Sequence, residues 1–129
     1  MGFAIAYTTR HRVPRVPFLR MKEKVLGKKY ELSVAFVSSK KMHAFNKKYR
    51  TKDAPTDILS FALSKDSGEL YLSMPEVAKK AKLFRMTTRN YLGYLFIHGL
   101  LHLEGRDHGR TMEVLESKFA RAFHFSTPH

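Results

Sequence analysis

The 129-residue chain contains no cysteine, which excludes disulfides and thiolate metal sites and makes an intracellular, cytoplasmic setting the natural expectation. It has no apolar run of roughly eighteen residues or more, so no membrane-spanning helix and no membrane partner are expected. Its opening, MGFAIAYTTRHR, lacks the basic start and long apolar stretch of a secretory signal. Acidic residues are scarce: eleven stand against twenty-four Lys and Arg, for a formal net charge of +13. The excess is uneven. Residues 1–52 hold fourteen Lys or Arg against Glu23 and Glu31, a net +12, whereas residues 53–129 hold ten against nine, a net +1. Such asymmetry points to a polyanionic partner, most simply nucleic acid, met by the N-terminal half. No repeat, low-complexity tract or linker divides the chain, so one domain over residues 1–129 is expected.

The patterning predicts an alternation of strands and helices. FAIAYT (3–8) reads as a first strand, and VPFLRMKEKVLGKK (16–29) as a basic amphipathic helix with Pro17 near its start. ELSVAFVS (31–38) alternates and is rich in β-branched residues, as a strand requires. Ser39 is placed to cap a helix over 40–50, with Met42 and Phe45 inward. TKDAPTD (51–57) reads as a loop, and 58–63 and 69–73 as strands around the turn SKDSG. Pro75 opens a short helix reaching about Phe84. Thr87 caps the next, over 88–104, which Gly105 ends. A last amphipathic helix covers about 111–123, and STPH reads as a frayed tail.

The helix over 88–104 is apolar nearly all round, so it should lie in the middle of the domain. Histidines inside it need partners. His98 and His102 stand one turn apart on one face, within reach of a single metal ion. Gly105 can turn the chain back and bring His108 to the same ion. Three neutral imidazoles form a common catalytic zinc set that leaves the fourth tetrahedral position for water. Asp107 is a candidate to hold one of the ligands through its second ring nitrogen. The spacing is also that of the zinc-protease pattern H-E-x-x-H-x-x-G-x-x-H, but its glutamate, the general base, is replaced by Gly99. His11, His43, His124 and His129 have no comparable spacing and are assigned no role.

Two longer stretches resemble a known family. HGLLHLEGRDH (98–108) closely resembles the H-G-x-L-H-L-x-G-Y-D-H signature of the YbeY family, metal-dependent endoribonucleases of bacterial ribosomal RNA maturation. FNKKYRTKDAPTDILSF (45–61) resembles that family's L-N-x-x-Y-R-x-K-D-x-P-T-(D/N)-V-L-S-F block, and GELYLS (68–73) its following G-D-I strand. The resemblance covers about residues 31–120. It implies an α+β fold: a small domain with a mixed, mostly parallel four-stranded sheet, helices, and a zincin-like metal-binding helix. It implies His98, His102 and His108 as ligands of one zinc ion, and Arg50 as a catalytic residue with Lys52 beside it. The implied work is ribosomal RNA processing, at the 3′ end of 16S rRNA, and ribosome quality control, with the small ribosomal subunit as partner. The chain departs from the pattern at Arg106 in place of tyrosine, Glu69 in place of aspartate, and Ala62 in place of a frequent proline.

The chemistry is coherent. Zinc held by neutral ligands can bring the pKa of bound water to about 7 and can polarise a phosphoryl oxygen. Arg50 is suited to bind two phosphoryl oxygens at once. Lys47, Lys48 and Lys52 can track the backbone of single-stranded RNA. Two rivals are a zinc metalloprotease, which Gly99 and the basic N-terminal half disfavour, and a non-enzymatic RNA-binding factor of ribosome assembly.

Overall fold

The structure is a computed structural model and describes residues 2–106 and 109–129. Four strands, Phe3–Tyr7 (β1), Glu31–Phe36 (β2), Ile58–Ser64 (β3) and Ser67–Leu72 (β4), form one sheet in the order β1-β2-β4-β3. β1, β2 and β4 run parallel, and β3 is antiparallel on the edge beside β4. Five helices, Phe18–Leu26 (α1), Ser39–Arg50 (α2), Met74–Leu83 (α3), Thr88–Leu103 (α4) and Arg110–Ala122 (α5), complete the described residues. This is the small α+β arrangement expected. None of the helices is long and apolar enough to cross a membrane.

Alternation explains which face is buried. Leu32, Val34 and Phe36 of β2 and Leu70 and Leu72 of β4 point into the main core, where they meet α4. Ten of the sixteen residues of α4 are buried, as an all-round apolar helix requires. A second, smaller cluster of Val37, Met42 and Leu59 lies under α2 with Phe45 at its margin. Gly99 packs α4 closely against side chains of the sheet. A Cβ there would lie 2.7 Å from Ile58 Cδ1 and 3.0 Å from Leu70 Cδ2.

Three expectations are revised. The cap of α2 is Ser38, whose hydroxyl accepts from Lys41 N at 3.1 Å; Ser39 is already helical and its hydroxyl instead donates to Glu76 Oε2 at 2.9 Å. The β3–β4 hairpin is tighter than predicted: the strands run on to Ser64 and Ser67, leaving a two-residue turn. The tail after α5 is not frayed, because Phe125 is buried against Gly93 and His129 bonds to Glu116.

Candidate active site

A cavity of about 690 Å³ opens between the end of α2, β3 and α4. Arg50, Lys52, Asp57, Ser60, His98 and His102 are among the residues that line it. Thr87 starts α4 by accepting from Asn90 N at 3.1 Å. The helix ends in a Schellman turn: Gly105 N donates to His102 O and Arg106 N to Leu101 O, each at 3.0 Å, with Gly105 at φ 100°. That left-handed glycine stops the helix one turn beyond His102, as the sequence predicted. His108 and Asp107 themselves lie outside the described residues, and among the described residues no group of three His, Asp, Glu or Cys side chains converges to hold a metal.

The two histidines of α4 do converge. Their Nε2 atoms lie 3.1 Å apart with the rings nearly perpendicular, at 83°. Two imidazole nitrogens bound to zinc at about 2.0–2.1 Å in tetrahedral geometry stand about 3.3 Å apart, so the pair fits one ion. The orientation has a cause. His98 Nδ1 donates to Glu116 Oε2 of α5, which in the neutral ring leaves the lone pair on Nε2, where a metal would need it. Glu116 is 2% exposed. Burial pushes its carboxyl up, but the hydrogen bonds from His98 and His129 outweigh this and hold it below its ordinary value. The two side chains therefore fit a zinc site of which His98 and His102 would be two ligands.

Glu116, His129 and Tyr94 were not singled out from the sequence. Glu116 had a signal: it shares the buried face of α5 with Met112 and Ala120, four residues to either side. A carboxylate on an apolar face needs a partner. His129, whose spacing in the sequence carries no signal, donates from Nε2 to Glu116 Oε1 at 2.9 Å; nothing local announces a contact across thirteen residues. Tyr94 lines the cavity, and burial together with the neighbouring Glu116 pushes its hydroxyl pKa up, so it stays protonated. Tyr91 behaves alike: its buried hydroxyl donates to Asp57 Oδ2 at 2.6 Å, which ties α4 to the start of β3.

Arg50 is the last residue of α2 and lies exposed at the cavity. Its Nη2 donates to Ser60 O at 2.7 Å, and its guanidinium carbon sits 4.9 Å from the centre of the Phe61 ring. Next to it, Thr51 adopts a left-handed conformation at φ 56°, a costly state for a β-branched residue. Buried Asn46 holds the following loop by donating to Ala54 O at 2.8 Å. Lys52 joins Arg50 in lining the cavity, whereas Lys47 and Lys48 are not among its lining residues. Lys47 lies 4.0 Å from Asp53 Oδ1, and Lys48 lies over the Tyr49 ring. The basic N-terminal half is not all surface: Lys22 is buried and donates to Lys28 O at 3.0 Å. Of the departures from the family pattern, Ala62 lines the cavity, Glu69 meets Tyr71, and Arg106 pairs with Glu104 at 3.1 Å. Gly99 faces the sheet, so no side chain from that position would reach the histidines' cavity without displacing Ile58 and Leu70.

A sequence profile of the family described as endoribonuclease YbeY matches residues 9–122. The chain is similar to endoribonuclease YbeY of Geobacillus kaustophilus, 38% identical over 98 residues, covering 64% of this chain and 63% of that protein. It is 35% identical to the Oenococcus oeni protein of the same name over 105 residues, covering 73% and 69%. The Bacillus subtilis protein of that name is 36% identical over 106 residues, covering 70% and 67%. The chain thus aligns with about two thirds of the length of these curated relatives, and in one case 63%. Its fold is similar to the solution structure of TM1509 from Thermotoga maritima, with a TM-score of 0.65 and 25% identity over 92% of this chain and 87% of that one.

Proposed function

The chain belongs to the endoribonuclease YbeY family, and on that premise we propose that it is a zinc-dependent endoribonuclease acting on single-stranded RNA, with residues 1–129 as its catalytic domain. We place its work in the cytoplasm, in ribosomal RNA processing at the 3′ end of 16S rRNA and in ribosome quality control, with the small ribosomal subunit as partner. The observation that carries the reading is the convergence of the paired His98 and His102 nitrogens and the Arg50 guanidinium on one open cavity.

His98, His102 and His108 would hold the metal. When bound, zinc supplies Lewis acidity: polarisation of a phosphoryl oxygen and activation of water near neutral pH. The remaining work belongs to the chain. Glu116 keeps His98 in the tautomer that presents Nε2. Arg50 has five N–H donors, of which Ser60 O engages one; the others serve to bind phosphoryl oxygens as negative charge grows on them. Phe61 and Ser60 fix the plane of that guanidinium before substrate arrives. Lys52 adds a mobile positive charge for a neighbouring phosphate.

The test is metal content measured beside cleavage of a labelled single-stranded RNA, with casein as the control substrate. Close to one zinc per chain and metal-dependent RNA cleavage are expected, with both lost in His102→Ala. Full zinc retention in His98→Ala, His102→Ala and His108→Ala alike would sink the site. RNA binding with no cleavage under any metal would leave the assembly factor standing instead.

A further inference from the structure

The cavity has a second set of lining residues that the catalytic reading does not use. Lys80 and Phe84, one turn apart at the end of α3, line it together with Tyr91, Tyr94 and His98. Phe84 is 42% exposed although it lies at the cavity. Its ring begins a row of ring contacts that leads to His98: Phe84 to Tyr91 at 5.7 Å, Tyr91 to Tyr94 at 5.9 Å, and Tyr94 to His98 at 5.9 Å. The ring's place is set by the backbone. Arg85 turns left-handed at φ 57°, and Met86 N donates back to Ala81 O at 2.9 Å, closing α3 directly behind Phe84. Lys80 Nζ lies 6.0 Å from the Phe84 ring centre. Among the described residues Lys80 has no acidic partner, whereas its neighbour Lys79 is paired with Glu76 at 3.5 Å. A further depression of about 200 Å³, sharing Thr56, Asp57 and Lys80 with the cavity, continues the surface past Leu83.

A partly exposed aromatic ring beside an ammonium that has no acidic partner among the described residues, at a cavity also lined by Arg50 and Lys52, has the form of a subsite for one nucleotide: π-stacking for the base and a point charge for the phosphate. We propose that the RNA strand runs from the histidines across α3, where Phe84 stacks a nucleobase and Lys80 holds the adjoining phosphate. This rests on the endoribonuclease reading above. It also places a binding cation in the half of the chain whose net charge is near neutral, so the basic N-terminal half is not the whole RNA surface.

The experiment follows a short single-stranded RNA carrying 2-aminopurine, with fluorescence read before turnover and affinity measured over a salt series. Wild type should quench the probe. Phe84→Leu keeps apolar volume but has no π-face; it should lose the quench and weaken binding about tenfold, whereas Phe84→Tyr should retain both. Lys80→Ala should flatten the plot of log K against log salt by about 0.7 while keeping the quench. Zinc content should be unchanged in all three. Unaltered quench and affinity in Phe84→Leu, in a protein that still binds and cleaves RNA, would overturn the path across α3 and leave the endoribonuclease assignment intact. A wild type that neither binds nor cleaves RNA would overturn both.

Discussion

Replacing Arg50 tests whether it acts in catalysis, in binding or only in folding. The side chain is exposed, yet it is anchored: Nη2 bonds Ser60 O at 2.7 Å and the guanidinium lies 4.9 Å from the Phe61 ring centre. An exposed cation–π contact and one hydrogen bond at the surface together contribute about 1 kcal/mol. Arg50→Ala should therefore lower the melting temperature by about 3–5 °C, a small but measurable cost. The loss in turnover should be far larger. A preorganised donor aimed at developing charge is worth about 3 kcal/mol, so single-turnover cleavage should fall about a hundredfold or more. Ground-state RNA affinity should fall only a few-fold, about what one phosphate contact among several contributes, because Lys52 and Lys80 remain at the cavity. Arg50→Lys keeps the charge but loses the planar fork and its stacking on Phe61, and should recover part of the turnover and little of the melting temperature. The assay pairs single-turnover rates at saturating enzyme with equilibrium binding on the same RNA. If cleavage and affinity fall by the same small factor, Arg50 is one more phosphate-tracking cation and its catalytic role is wrong.

Glu116→Gln and Glu116→Ala remove the carboxylate that orients His98; each should weaken zinc binding about 10- to 100-fold in competition with a chelator, and unchanged affinity in both would deny Glu116 that role. Gly99→Glu forces a charged side chain against Ile58 and Leu70, at a cost above about 4 kcal/mol; circular dichroism should register a largely unfolded chain, and a well-folded variant that cleaves casein would overturn both the packing argument and the RNA assignment. RNA binding by the wild type should weaken steeply between low and physiological salt, with a slope of about −0.7 for each phosphate neutralised; a flat response would mean the net charge of +13 serves something else.

Features set by a few neighbouring residues were legible in the sequence alone. The alternation of Leu32, Val34 and Phe36 defines β2 and its buried face. Thr87 and Gly105 mark both ends of α4, because a hydroxyl cap and a left-handed glycine act within one turn. Histidines four apart share a helix face for the same geometric reason, so the pairing of His98 with His102 follows from spacing alone. Arg50 was legible only through the family's longer motif, since one arginine at a helix end carries no signal of its own. What lay beyond local sequence were contacts between segments far apart in the chain. Glu116 meets His98 across eighteen residues and His129 meets Glu116 across thirteen; Phe84 and Lys80 reach the cavity only because α3 packs beside α4. Even the meaning of Gly99 changed. In the sequence it stood where a general base was missing, whereas in the fold it is where α4 meets the sheet. Local rules decide which backbone conformation a segment takes and which of its faces is apolar, but which faces meet depends on burying all of them at once, and that is settled only by the packing of the whole chain.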